Sequence, residues 1–261
     1  MTTPAPKVRR QRLDLVMVEQ GKAPSRAKAQ ALVMAGLVRV AGQRVDKPGT
    51  LVAVDAEVAV EPSGSSYVSR GGNKLAGALA SFAAAGLQVQ GKTAVDFGAS
   101  TGGFVDCLLQ HGAVRVHAVD VGHGLLHEKL RNDPRVVVHE RTNARYVDAA
   151  TLGERVDLLV VDASFIGLGK LLEAAASVLR DGGEMLALIK PQFEAGKREV
   201  SRGRGVIRDD DVRERVVSEA MGQVIAAGFE IVGDAPCAVL GPKGNREHFV
   251  YARLVRRTSA G

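Results

Sequence analysis

From Lys92 onward, short apolar runs alternate with stretches of helical spacing. The runs Thr93–Phe97, Val114–Val119, Val136–His139, Leu158–Val161 and Met185–Ile189 have the length of buried strands. Between them, Gly103–His111, Leu125–Arg131 and Gly169–Arg180 read as helices. A later helix, Asp211–Ala227, places Val212, Val216, Ala220, Val224 and Ala227 along one side. Strands alternating with helices predict an α/β fold, a parallel sheet covered on both faces. Ile231–Leu240 and Phe249–Val255 are expected to add the last strands, one of them antiparallel.

The first sixty residues follow a different pattern. Arg12–Gln20 sets Leu13, Val16 and Met17 at helical spacing, Gly21–Ser25 breaks the helix, and Ser25 is placed to cap a second one over Arg26–Ala35, ended by Gly36. Leu37–Val40 reads as a strand, Ala41–Gln43 as a turn and Leu51–Val60 as a region of paired strands. This is a small α+β module. Glu61–Ser66 forms a joint, and Tyr67–Lys74, with Gly71 and Gly72, leads into an Ala-rich helix over Leu75–Ala85.

Composition sharpens the division. Of 261 residues 46% are hydrophobic but only 4% aromatic, so Ala, Val and Leu must build the core. Residues 1–50 carry ten Lys and Arg against Asp14, Glu19 and Asp46, a net +7 that leaves −1 for the rest of the chain. A basic appendage on a near-neutral body predicts a polyanionic partner. Arg9, Arg10, Arg12, Lys22, Arg26, Lys28, Arg39 and Arg44 are its candidate RNA contacts. Cys107 and Cys237 are too few for a disulfide framework and lack zinc spacing, so both are expected to be inert and no metal is expected. No leader pattern and no long apolar run is visible, which makes a cytoplasmic protein the expectation.

The chemistry concentrates at strand ends. The first strand of the alternating region runs into Asp96-Phe97-Gly98-Ala99-Ser100-Thr101-Gly102-Gly103, a glycine turn opening a helix, and the next strand ends at Asp120. Such a turn aims free backbone N–H groups at a ligand, and an acid at the second strand end suits ribose hydroxyls. The turn lacks the Lys of a phosphate-gripping loop and the dinucleotide GxGxxG spacing. Asp162 and Lys190 each directly follow a buried strand, so a parallel sheet stands both on the ligand-binding edge. Lys74 sits near a helix start, where a cation is unfavourable and a use is implied. Glu247, just before the final strand, is placed to close the cluster. Beyond Lys190, the cations Lys197, Arg198, Arg202 and Arg204 lie among glycines in a run that reads as a loop able to order on RNA.

Two resemblances give these features a context. RLDLVMVEQGKAPSRAKAQALVMAGLVRVAGQRVDKPG resembles the small RNA-binding module first known from bacterial ribosomal protein S-four, which implies structured RNA held through backbone and shape. The DxGxxxGG turn resembles the S-adenosylmethionine loop of Rossmann-like methyltransferases. That likeness implies Asp96, Gly98, Ser100 and Gly102 at the methionine end of the cofactor, Asp120 at its ribose and Asn143 near its adenine. VSRGGNKL, DFGASTGGF, RNDPRVVVHERTNAR, VVDASFIGL, LIKPQFE and GPKGNREHFV resemble the TlyA family of RNA 2'-O-methyltransferases, whose members also carry the name haemolysin.

The family resemblance implies a Lys74-Asp162-Lys190-Glu247 catalytic tetrad and an FtsJ-like domain over residues 69–261, joined by a linker at 61–68 to an RNA-binding domain at 1–60. It implies transfer of methyl from S-adenosylmethionine to a ribose of ribosomal RNA, at cytidine, on ribosomal subunits. Two alternatives stand beside it: a ribosome-assembly factor without essential catalysis, and a membrane-active haemolysin. His123 and Leu125 depart from the Tyr and Gln that the family pattern favours, and Ala163 from Leu.

Overall fold

The structure, a computed structural model, describes residues 9–61, 66–164, 166–195, 206–241 and 244–255. Its N-terminal part holds strand β1 (Arg10–Arg12), helices α1 (Leu13–Glu19) and α2 (Arg26–Met34), and strands β2 (Val38–Val40), β3 (Gln43–Arg44), β4 (Leu51–Ala53) and β5 (Val58–Val60). Ser25 caps α2 as its position predicts, its Oγ accepting from the Lys28 N–H at 3.2 Å. Leu13, Val16, Met17, Ala29, Val33, Val38, Val52 and Val58 form a core of their own. The expected strand pair over Leu51–Val60 is corrected in its pairing. β4 pairs with β1 and β5 with β2, rather than with each other.

Helix α3 (Gly71–Phe82) leads into the main sheet, which contains β6 (Thr93–Phe97), β7 (Arg115–Val119), β8 (Val136–His139), β9 (Val156–Val161), β10 (Leu179–Ile189), β11 (Phe229–Pro236) and β12 (His248–Leu254). The intervening helices are α4 (Gly103–Gln110), α5 (Glu128–Arg131), α6 (Ala149–Leu152), α7 (Leu172–Val178), α8 (Pro191–Glu194) and α9 (Asp210–Ala226). Spatial order is β11-β12-β10-β9-β6-β7-β8. From β8 to β10 the strands are parallel, and β12 runs antiparallel to both β10 and β11. One apolar core packs α7 and α9 on one face, and a second packs α3 and α4 on the other. The sheet is therefore covered on both sides, as its continuous apolar strands predict.

The chain builds β6, β7 and β8 outward to one side, then returns to lay β9 against the other flank of β6. That reversal is the place where an open parallel sheet leaves a crevice at its carboxyl edge. Helix α3 starts at Gly71, four residues before the expected Leu75, because the glycines permit close contact. A Cβ on Gly72 would lie 2.3 Å from the Tyr67 ring, and one on Gly103 2.3 Å from Ser69 Oγ. Helix α5 is shorter than expected because His127 caps it, Nδ1 accepting from the Lys129 N–H at 3.2 Å.

Candidate active site

β6 delivers Asp96 and Phe97 to the carboxyl edge, and the chain turns there through Gly98 at φ +94°. A side chain at Gly98 would stand 3.0 Å from the Ala163 backbone on the neighbouring strand end, so only glycine fits both the angle and the space. Ser100, also left-handed at φ +48°, and Gly102 at φ +91° complete the turn into α4. Asp120 ties this turn to the next: Oδ2 accepts from the Ser100 N–H at 2.8 Å and Oδ1 from the Gly122 N–H at 2.7 Å. Ser100, Asp120, Gly122, Leu126 and Glu140 line a narrow cleft between the two turns. Glu140 holds the far wall, accepting from the Gly124 N–H and pairing with His123 and Arg131.

Asp96 is 1% exposed, and its carboxyl oxygens have no side-chain partner, with the Val105 backbone N–H nearby. Burial pushes its carboxyl well above the usual range, and the charges of Asp162 and Asp120 push it further. Three acids thus face one crevice, a setting that favours a cation.

Next to this crevice stand two lysine–carboxylate pairs. Lys190 follows β10, and its Nζ lies 2.6 Å from Asp162 Oδ1, 2.9 Å from Ser164 Oγ and 3.1 Å from the Asp162 carbonyl. Lys74, in the first turn of α3, reaches across to Glu247 at the start of β12, with Nζ 2.5 Å from Oε2. Lys74, Lys190 and Glu247 are all buried, and Glu247 Oε1 has no partner. Burial alone would lower the Lys74 ammonium, but Asp162 and Glu247 outweigh it and hold it above its ordinary value. Burial likewise opposes charge on Asp162, and Lys190 and Lys74 overcome it, keeping that carboxyl below the usual range. The four side chains from four separated segments therefore form one charged cluster at one rim.

Not every expected residue arrives there. Asn143 is exposed and caps the turn Ala144–Tyr146, Oδ1 accepting from the Arg145 N–H at 3.1 Å, and it does not line the cleft beside Asp120. In the N-terminal module, Arg12 and Arg26 both pair with the fully buried Asp14, and Arg39 pairs with Glu61. Arg9, Arg10, Lys22 and Arg44 are exposed and Lys28 is half-buried. Lys197, Arg198, Arg202 and Arg204 lie outside the described residues. The thiols match their expected inertness in one respect: both are free, and burial pushes Cys107 up to about 12.

Three participants escaped the sequence reading. Ser164 shares the Lys190 ammonium. Half-buried Arg70, one helical turn before Lys74, is close enough to feel both Glu247 and Asp162, as well as Arg44 and Asp46 of the module. Gly241 leaves space for the Glu247 carboxyl, since a Cβ there would sit 2.4 Å from Oε1. Spacing of four from Lys74 was a signal for Arg70. Nothing in the pattern marked the other two.

Both parts of the chain have known relatives. The profile of FtsJ-like methyltransferases matches residues 67–254, and that of the S4 domain residues 11–58. A 16S/23S rRNA (cytidine-2'-O)-methyltransferase TlyA from Mycobacterium tuberculosis is 45% identical over 246 residues, 94% of this chain and 90% of that protein. Hemolysin A of Brachyspira hyodysenteriae is 40% identical, covering 92% of this chain and 98% of its own. A solved structure from Streptococcus thermophilus, described as a hemolysin, superposes with a TM-score of 0.71 at 39% identity over 95% of this chain and 90% of that one. Among the described residues no helix is long and apolar enough to cross a membrane. The chain belongs to the FtsJ-like methyltransferase family, in the TlyA group that joins this catalytic fold to an S4 domain.

Proposed function

We propose that this chain methylates the 2'-oxygen of a ribose in ribosomal RNA, at cytidine, using S-adenosylmethionine. The observation that carries the reading is the pair of buried contacts, Lys74 with Glu247 and Lys190 with Asp162, set beside a glycine turn. The cytidine and ribosomal RNA named for the 45% identical relative support the choice of substrate. Residues 1–60 form the RNA-recruiting domain, 61–68 the linker and 69–261 the catalytic domain, and the cytoplasm is where that substrate is met.

The crevice suits the cofactor. A buried Asp96 with no side-chain partner, and Asp120 and Asp162 around it, matches a ligand bearing an ammonium and a sulfonium. Asp96, Gly98, Ser100 and Gly102 would hold the methionine end and Asp120 the ribose. Bound there, S-adenosylmethionine supplies a methyl group on positively charged sulfur, open to attack from the opposite side.

The chain's own groups do the rest. Three oxygens surround the Lys190 Nζ, which fixes that group at the rim, where it steers the attacking hydroxyl. Asp162 positions that lysine. Lys74, held charged by its neighbours, and Glu247 orient the nucleotide. Oxygen-to-carbon bonding makes the hydroxyl strongly acidic, and its proton passes to the Asp162 carboxylate and from there to water. Holding oxygen and methyl in line supplies much of the rate. Substitution Lys190→Met should lower kcat at least about a hundredfold while cofactor affinity stays within about twofold. Unchanged methyl transfer by that variant would refute the assignment.

A further inference from the structure

We infer that Tyr146, flanked by Arg145 and Arg141, is a nucleobase-stacking platform for RNA at the carboxyl edge of the sheet, outside the catalytic cluster. The inference rests on the reading of this chain as an RNA-modifying enzyme and adds a contact that neither the cluster nor the S4 domain provides.

Aromatic rings are scarce in this chain, and most of the described ones are used as packing. Phe82, Phe97, Phe104, Phe229, Phe249 and Tyr251 are buried. Tyr146 is 73% exposed, more than any other large apolar side chain among the described residues. A single exposed ring is ordinary on a protein surface. Its surroundings are what set this one apart. The Arg145 guanidinium lies 5.5 Å from the ring centroid, and Arg141, exposed and left-handed at φ +54°, lies on the same short connection. Between Arg141 and Tyr146 there is no acidic residue, and Glu140 just before them is engaged by His123 and Arg131. An aromatic face beside arginine planes is how proteins hold splayed bases without reading their sequence.

The ring is also firmly mounted. Asn143 caps the turn that carries it, the Tyr146 N–H donates to the Asn143 carbonyl at 3.0 Å, and the next residue, Val147, is buried in the core. This turn packs against the turn Leu168–Leu171, which follows Asp162 and Ser164 on the catalytic rim. A base stacked there belongs to a nucleotide near the one being modified. Tyr146 does not line the narrow cleft beside Asp120, and the cofactor-affinity arm of the test separates a base of RNA from the cofactor's adenine.

The test uses the full chain, with ribosomal RNA and isolated ribosomal subunits as probes, and measures RNA affinity apart from methylation. Tyr146→Ala should weaken RNA binding about tenfold, the scale of one base–aromatic stack, with affinity for S-adenosylmethionine unchanged. Tyr146→Phe keeps the ring and should stay within about twofold of the parent. Arg145→Ala should also weaken binding and reduce its salt slope by about one charge. RNA affinity within about twofold of the parent for Tyr146→Ala overturns the platform, as does a loss confined to cofactor binding. RNA binding that depends on Tyr146 in a protein that transfers no methyl would refute the proposed activity and leave the platform standing.

Discussion

Asp96 shows how one buried side chain ties the ligand to the proton. In the free protein, burial and two neighbouring acids favour its neutral form. A cationic cofactor favours the ionised form, so binding should release a proton, and affinity should rise as pH climbs toward the raised pKa and level off above it. Calorimetry of S-adenosylmethionine binding in two buffers of different ionisation heat, across about pH 5 to 8, should report that release. Proton uptake, or none, would remove Asp96 from the cofactor site. Asp162 and Lys190 were legible because each follows a buried strand and parallel strands share one ligand-binding edge. Glu247 was less so, since its place depends on an antiparallel return that periodicity does not fix. Ser164 and Gly241 act through contacts between distant segments, and Asn143 turned to its own backbone. Local sequence carries no trace of such choices.

At the scale of elements, the turn between β6 and α4 bears the tightest constraint. Gly98 needs a left-handed backbone and has the Ala163 backbone against it. Gly98→Ala should therefore cost about 1–3 kcal/mol of stability and weaken cofactor binding at least about tenfold. Thermal melts and cofactor titration would check both, and a variant with parental stability would show that the turn is free to shift. The β6 and β8 boundaries match the apolar runs residue for residue: β6 is almost wholly buried, and β8, the half-buried edge strand, is still a run of valines closed by His139. The strands β1 and β3 were missed. At three and two residues they are too short to show a period, and tertiary pairing alone defines them.

For the whole molecule, charge asymmetry was readable from composition, but its use was not. Asp14 takes the charges of Arg12 and Arg26 for structure. Burial opposes ionisation of this acid, yet its hydrogen bonds to Arg12, Gln30 and Arg26 hold its carboxyl far below the usual range. That contribution is present above about pH 4 and is lost as pH falls through the lowered pKa, so acid should loosen the module. Arg9, Arg10 and Lys22 are exposed. Replacing these three with Ala should reduce the salt dependence of RNA affinity by about two to three charges, while keeping the fold. If their loss leaves the salt slope unchanged, the N-terminal face is not where RNA backbone is held.

All of these effects serve one event, methyl passing to a sugar oxygen. The direct measurement is transfer of labelled methyl from S-adenosylmethionine to naked ribosomal RNA, separate subunits and assembled ribosomes, followed by alkaline hydrolysis of the product. The account predicts label at a cytidine whose 3' linkage resists alkali, and its loss in Lys190→Met. Label on a base, with every linkage still cleaved, would contradict it.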